Sequence, residues 1–217
     1  MSSPSVDRKR AGGRLGRQVE AERNDLLVLA AARAAFAEEG PDAPVASIAK
    51  RAGVGMGTLY RRYGSKEQLL QQLCRVAITE TITALENALD RGDDGWTCLS
   101  GFIERCVTDR VGAFAPLAGS LPVPDDLARR NEEAKELLDR LVRRGHEDAT
   151  VRPDVTSIDI TYLMELFSRY PQHTENARHT RSRLLALAID GLRPAATTLP
   201  EPTPSWGEYE VEWSVTS

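Results

Sequence analysis

The chain is poor in the residues from which metal centres, disulfide frameworks and membrane spans are built. Its 217 residues include three cysteines, Cys74, Cys98 and Cys106, and three histidines, His146, His173 and His179. An odd cysteine count without metal-ligand spacing argues against a disulfide scaffold and favours reduced thiols in a core. Cys98 and Cys106 can share one face of a helix, which leaves a redox or ligand-lining use open beside the packing one. The histidines lack carboxylate or cysteine partners at metal spacing. His173, Glu175 and His179 come nearest, but they sit beside Pro171 at a helix start, where polar residues are ordinary. No Gly-x-Ser-x-Gly nucleophile motif is present. No apolar run approaches the roughly 20 residues that span a bilayer, and the N-terminus is polar, so the expectation is a cytoplasmic protein with no membrane partner, no metal and no cofactor. Strand signals are scarce and no internal repeat is visible.

What the chain does have is helical periodicity, most legible between Ile48 and Lys66. A short helix over 45–52 places Ile48, Ala49 and Ala52 at helical spacing and leaves Lys50 and Arg51 outside. Gly53 falls where that helix stops, because a residue without Cβ takes the left-handed conformation at least cost. A second helix starting near Met56 carries Leu59 inward and leaves Thr58, Tyr60, Arg61 and Arg62 free to point out, while Gly55 and Gly57 let the backbone approach another surface. Two short helices around a glycine turn read as a helix-turn-helix, whose second member enters a DNA major groove, where arginine bonds guanine edges and hydroxyls reach phosphates. The same residues also fit an ordinary helical hairpin with a solvated basic face. Gly53, Gly55 and Gly57 imitate the opening of a dinucleotide fingerprint. That reading fails, since the run follows a helix instead of a buried strand, and Thr58 stands where the third glycine belongs.

The flanks narrow the choice. A first helix ends at Phe36-Ala-Glu-Glu-Gly40; then come Ile48-Ala49, Ala52-Gly53-Val54, Gly57-Thr58-Leu59-Tyr60 and Ser65-Lys66-Glu67-Gln68-Leu69-Leu70. In this order, between Asn24 and Leu73, the residues resemble the DNA-binding domain of the TetR family of bacterial transcriptional regulators. The resemblance covers the first third of the chain. It implies that Met56, Gly57, Arg61 and Arg62 meet the groove, that Thr58 and Tyr60 lie on phosphates, and that Lys66 reaches the DNA backbone. Leu59 and Tyr63 match core positions. Two residues depart from the family pattern: Ala43-Pro44-Val45 replaces a hydroxyl residue at the start of the second helix, and Gly55 replaces a serine before the third. Pro44 as a first helical residue would hold its terminus by geometry instead.

Leu26, Leu29, Ala32 and Phe36 form the expected stripe of the first helix, packing on Ile48, Ala52, Leu59 and Tyr63. Ser65 is placed to cap a fourth helix, with Gln68 reaching back to its backbone. Leu69, Leu73, Val76 and Ala77 continue that helix toward the rest of the protein. Charge divides in the same place: up to Ala77 there are 13 Lys and Arg against 8 Asp and Glu, and beyond it 15 against 24. Residues 1–20, with Arg8, Lys9, Arg10, Arg14 and Arg17, read either as a flexible basic arm for phosphates or a minor groove, or as a tail without a role.

Beyond Asp94 the pattern predicts helices over 94–114, 125–144, 156–169 and 175–192, with Pro116, Pro122 and Pro124 breaking the chain after the first. The fold expected is therefore all-α with about nine helices: an N-terminal three-helix helix-turn-helix domain at 21–77 and a C-terminal helical bundle domain at 78–193. By the resemblance, the last two helices build a homodimer interface, with Leu163, Phe167, Leu184, Leu187, Ala188 and Leu192 as its candidates; the same residues also suit a monomer core. The middle helices hold a small-molecule effector in the family, and Trp96, Phe102, Cys106, Phe114, Tyr162, Met164 and Phe167 are the candidates to line its pocket, or else plain core. The partners implied are a palindromic double-stranded DNA operator, a second copy of the chain and an apolar or aromatic effector. Repression is the family's common mode. A helical ligand-binding protein or enzyme without specific DNA binding is the alternative. Residues 194–217 read as an unstructured acidic tail, or as a docking peptide through Trp206, Tyr209, Val211 and Trp213.

Overall fold

The computed structural model describes residues 26–36, 38–39, 43–114, 123–170 and 174–209. The basic arm at 1–20 and Val211 and Trp213 lie outside them. Helix α1 covers 26–36 and 38–39, followed by α2 (Val45–Ala52), α3 (Met56–Tyr63), α4 (Lys66–Asp90), α5 (Gly95–Thr108), a 3-10 turn (Val111–Phe114), α6 (Asp125–Glu147), α7 (Ser157–Ser168) and α8 (Glu175–Asp190). A further helical turn stands at 206–209, and no strand occurs among the described residues. No helix among them is long and apolar enough to cross a membrane.

Two apolar cores organise these elements. The first gathers Val28, Ala32, Ala35 and Phe36 of α1 with Ile48, Ala49 and Ala52 of α2, Leu59 of α3, and Leu69, Leu70, Leu73, Cys74 and Ala77 of α4. The second gathers Ala84, Leu85 and Ala88 of α4 with Leu99, Phe102, Ile103, Cys106 and Val107 of α5, Leu138, Leu141 and Val142 of α6, and Ile160, Met164 and Phe167 of α7. Helix α4 thus belongs to both. At 1.5 Å per residue it is about 37 Å long, enough to run the depth of a small domain, and it has no break at Ala77. Leu127 of α6 buries in the first core, and Arg75 of α4 meets Asp126 of α6 at 2.8 Å, so the C-terminal part grips the N-terminal part at a second point.

Helix α1 faces differently from its expected stripe. The buried positions are Val28, Ala31, Ala32, Ala35 and Phe36, whereas Leu26 is 69 % exposed and Leu29 half-buried. Small alanines let α1 lie close to its neighbours, and that turns the two leucines to the other side.

The segment expected as one helix over 94–114 is two pieces. Helix α5 stops at Thr108, Arg110 takes a positive φ of 53°, and the 3-10 turn then packs against α7. The carbonyls left open at that stop find an arginine: Arg181 of α8 donates from Nη2 to Val107 and from Nε to Phe167 at 3.0 Å, closing the C-terminal ends of α5 and α7 together. Arg144 does the same for α4, donating to the carbonyls of Leu89, Arg91 and Asp93. Each places a cation at the negative end of a helix. Neither residue is marked by any local sequence signal.

Helices α5 and α6 cross where both carry glycine. A Cβ added to Gly95 would sit 2.5 Å from the Gly145 backbone, so the pair sets the separation of the two helices. Thr156 caps α7 in a reciprocal box with Asp159. Asp154, two residues earlier, takes Arg152 at 2.6 Å and the Leu199 N–H at 2.7 Å. Those bonds draw the chain after α8 back onto the body, joined by Arg152 donating to the Thr197 carbonyl at 2.6 Å. Trp206 then lies under Lys135 of α6 at 4.8 Å, and Tyr209 meets Tyr162 of α7 edge to face at 5.1 Å. From sequence this stretch reads as an unstructured acidic tail or as a docking peptide. Contacts from two distant elements order it up to Tyr209.

Candidate functional site

The candidate nucleic-acid surface is α3, and its position is set at both ends. Pro44 is the N-cap of α2, one residue before the helical position expected for it; its carbonyl accepts from Ser47 at 2.9 Å and Ile48 at 3.3 Å. Gly53 closes α2 at φ 68°, where Val54 N–H reaches back to the Ala49 carbonyl at 3.0 Å. Gly55 caps α3 with no side-chain bond, which leaves the first-turn N–H groups of α3 open to an outside acceptor. At the other end Gly64 has φ 78° and ψ −66°, and Ser65 N–H bonds the Tyr63 carbonyl at 3.0 Å. This is a γ-turn of positive φ, a conformation that glycine alone takes without strain. Ser65 then caps α4, its hydroxyl accepting from Gln68 N–H at 3.2 Å. The Gln68 carboxamide does not return to the cap backbone as expected: its oxygen occupies the space a Gly64 Cβ would need.

Between these stops, only Leu59 of α3 is buried, with Tyr63 half-buried against the first core. Met56, Gly57, Thr58, Tyr60, Arg61 and Arg62 are exposed, and Lys66 at the start of α4 is half-exposed. The helix carries no acidic residue, and Arg61 makes no ion pair among the described residues. Behind it α2 is braced. Arg51, expected on the outer face, pairs with Glu38 at 2.8 Å and Glu39 at 2.9 Å, and these bonds push its pKa up. Ser47 adds a bond to Glu39 at 3.0 Å.

The candidate effector-lining residues divide. Phe102, Cys106, Met164 and Phe167 sit together in the second core, each almost wholly buried. Trp96 and Tyr162 lie at its margin: Arg193 stacks over Trp96 at 4.0 Å, and Tyr162 meets Tyr209. The Phe114 side chain lies outside the described part. Burial pushes the Cys74 thiol up to about 11 and the Cys106 thiol to about 12, and Cys98 is also raised. All three cysteines are free and buried, an environment that suppresses the reactive thiolate.

The candidate dimer residues divide as well. Leu187 is 67 % exposed and Leu184 is exposed on α8, with Ala188 and Leu163 half-buried. Phe167 and Leu192, by contrast, are consumed by the protomer's own core. Leu166 of α7, passed over by the sequence reading, is 64 % exposed; its place in an apolar run hid which way it turns. Among the described residues, no group of three His, Cys, Asp or Glu side chains is placed to hold a metal. His173 lies outside them.

Comparison with known proteins gives two family matches. Residues 28–73 match the family described as bacterial regulatory proteins, tetR family, and residues 96–194 match the SbtR-like transcriptional regulator C-terminal domain. The chain is 28 % identical over 155 residues to the HTH-type transcriptional repressor KstR2 of Mycolicibacterium smegmatis, spanning 67 % of this chain and 74 % of that protein. The counterpart from Mycobacterium tuberculosis is 29 % identical over 159 residues, 69 % of this chain and 78 % of its own length. Among solved structures, the regulator SCO0520 of Streptomyces coelicolor superposes with a TM-score of 0.54 at 25 % identity, covering 79 % of this chain and 99 % of that one. The ketosteroid transcriptional regulator KstR2 of Mycobacterium tuberculosis superposes with a TM-score of 0.54 at 21 % identity, over 77 % and 94 %, and bears on the fold alone.

Proposed function

Because this chain belongs to the TetR family of bacterial DNA-binding transcriptional regulators, a non-enzymatic family, we propose that it is a repressor that holds a palindromic operator as a homodimer and leaves it on binding a small apolar or aromatic ligand. The observation that carries this reading is the surface of α3, basic, free of acids, and fixed at both ends by a glycine turn. Arg61 and Arg62, with Met56 and Gly57, take the major groove; Thr58, Tyr60 and Lys66 take phosphates. Two such helices from one dimer read two half-sites and sum their binding energies. Leu184 and Leu187 of α8 and Leu166 of α7 support a two-fold contact between α7–α8 pairs, because these large apolar side chains are exposed on the isolated protomer.

Release requires a ligand that binds better to a form whose two α3 helices are wrongly spaced. Helix α4 is suited to transmit it, since its residues belong to both cores. Trp96, Phe102, Cys106, Tyr162, Met164 and Phe167 are the residues proposed to meet that ligand, and their apolar character suits an apolar one. Binding of the purified protein to the DNA upstream of its own gene, against scrambled DNA of equal length over a salt series, tests the reading. Preference for the native fragment with two or more chains per site is expected. Equal affinity for both fragments, followed by failure of a genome-wide selection to enrich any sequence, would overturn it.

A further inference from the structure

Two of the residues proposed to meet an effector lie at the margin of the second core, and the chain that follows α8 covers both. Trp96 of α5 and Tyr162 of α7 are half-buried, whereas Phe102, Cys106, Met164 and Phe167 are almost wholly buried in that core. Arg193, three residues past the end of α8, stacks over Trp96 at 4.0 Å. Tyr209 sets its ring edge to face against Tyr162 at 5.1 Å, and its hydroxyl donates to Glu165 at 3.4 Å. Glu165 is buried, and its other carboxylate oxygen accepts from Arg169 of the next turn at 3.0 Å. One segment thus lies against both margins.

The segment is fastened at two places that differ in kind. At its start the buried Arg152 gathers it: the Arg152 N–H donates to the Leu192 carbonyl at 2.9 Å, and the guanidinium donates to the Thr197 carbonyl at 2.6 Å and to Asp154. Asp154 in turn accepts from the Leu199 N–H at 2.7 Å. Pro200, Pro202 and Pro204 then restrict the link to the second fastening. There Ser205 opens a single helical turn in a reciprocal cap with Glu208, its hydroxyl donating to that carboxylate and accepting from the Glu208 N–H at 3.3 Å. The turn lays Trp206 under Lys135 of α6 at 4.8 Å and Tyr209 on α7, with the two rings edge to face at 5.8 Å. One helical turn has no stability of its own in water, so its contacts with α6 and α7 hold it in place. Elements held by so few contacts open at free energies well below that of global unfolding.

We propose that residues 193–209 form a strap that closes the second core, and that an apolar or aromatic molecule enters this core when the turn at 205–209 lifts from α6 and α7. The hydrogen bonds at Arg152 and Asp154 keep the near end in place, so the aromatic end is the part that moves. An incoming aromatic ligand competes with Tyr209 for the face of Tyr162, which makes the strap an internal stand-in for the ligand class it excludes. A protein that admits its ligand only in a minor form binds it with an affinity reduced by the population of that form. Each contact of the strap therefore lowers the apparent affinity of the ligand. That the admitted molecule releases DNA rests on the regulator reading above; closure of the core by the strap does not.

The test uses two buried thiols of the full-length protein as reporters, without DNA: Cys106 in the second core and Cys74 in the first. The probe is dithiodipyridine, a neutral aromatic disulfide. A cysteine thiolate forms a mixed disulfide with one half of it and displaces the other as thiopyridone, read by absorbance, and the masses of the modified peptides assign a rate to each cysteine. When opening and closing are fast, that rate follows the population of the open form. Trp206→Ala and Tyr209→Ala are each expected to speed labelling of Cys106 about tenfold and to leave Cys74 unchanged. Tyr209→Phe keeps the ring, drops the bond to Glu165 and speeds Cys106 about threefold. Thr203→Ala, on the same segment with its hydroxyl bonded to Glu201, changes neither rate. Labelling of Cys106 that is indifferent to the three aromatic substitutions overturns the proposal, and so does acceleration of Cys74 in step with Cys106, which marks loosening of the whole protein. Selective acceleration of Cys106 in a protein that prefers no DNA sequence supports the strap and overturns the regulator reading.

Discussion

The two cores are built from different side chains, and the difference separates what each part of the molecule is for. The N-terminal core is rich in alanine: Ala31, Ala32, Ala35, Ala43, Ala49, Ala52 and Ala77 are buried there among larger residues such as Phe36, Ile48, Leu69 and Leu73. Short side chains bring helices close, while α3 buries Leu59 and half-buries Tyr63 against this core and exposes most of its other residues. The C-terminal core is filled by Leu85, Leu99, Phe102, Ile103, Leu141, Ile160 and Phe167, with contacts distributed over several long helices. A recognition surface needs few anchors and many exposed groups. A domain that must hold its shape, or yield locally to a ligand, needs redundancy.

The largest effect that would break this comparison comes from one substitution made in each core. Leu59→Ala and Leu99→Ala both empty a fully buried site and each costs about 2 to 5 kcal/mol. Their consequences differ. Leu59→Ala releases the sole fully buried anchor of α3 and removes selective DNA binding, whereas Leu99→Ala lowers the melting temperature and leaves the DNA affinity of the folded fraction intact. Melting curves and DNA titrations on the same samples read both; selective binding retained by Leu59→Ala would show that α3 is held from elsewhere.

Next is the helix crossing. Gly95→Ala forces the α5 and α6 backbones apart and costs about 1 to 3 kcal/mol, measured by denaturant midpoint. The neighbouring exposed glycine Gly101, with nothing near its Cβ position, is the control and gains a few tenths by helix propensity, about 0.5 to 1 kcal/mol at most. On the DNA side, Arg61→Ala lowers the affinity for the preferred sequence by about 1 to 3 kcal/mol without a matching loss on scrambled DNA. Lys66→Ala weakens both fragments alike and reduces the salt slope by about 1. Interchange of those two patterns would exchange the roles assigned to the residues.

The smallest effect concerns the chain after α8. The Arg152 side chain first, and the Leu199 N–H second, hold the Asp154 carboxylate well below the usual range. A carboxylate lowered in the folded state stabilises fully above its unfolded pKa of about 3.9, and that contribution is lost as pH falls through the folded value. Residues 194–209 should therefore stay docked at neutral pH and loosen only in acid below about pH 4, followed by the tryptophan fluorescence of Trp206. Asp154→Asn should weaken the docking at pH 7 and flatten this acid dependence. An unchanged profile in that variant would place the titrating group elsewhere.

Much of the N-terminal part was legible because its signals are local. A helix stop needs Gly53 at a particular backbone angle, and a cap needs Ser65 three residues before the N–H it accepts from. Such features depend on neighbours within one turn, so residue type and spacing suffice to find α2, α3 and the start of α4. The direction in which α1 turns its leucines was not legible, because Leu26, Val28 and Leu29 are all apolar and periodicity alone does not choose between two overlapping stripes. Periodicity likewise did not tell that Phe167 and Leu192, named as dimer candidates, lie buried in the protomer's own core. A monomer core and a subunit interface ask for the same chemistry.

The sequence by itself determined the helices, their short turns, the basic character of α3 and the family to which they belong, since each follows from side chains a few positions apart. Only the tertiary structure decided that Arg144 and Arg181 close the ends of helices far from them in sequence, that Gly95 meets Gly145, and that the chain after α8 returns to α6 and α7. The physical reason is range. Backbone conformation and capping are settled by neighbours along the chain, whereas the partner of a long guanidinium or a bare glycine is settled by which helices the cores bring together.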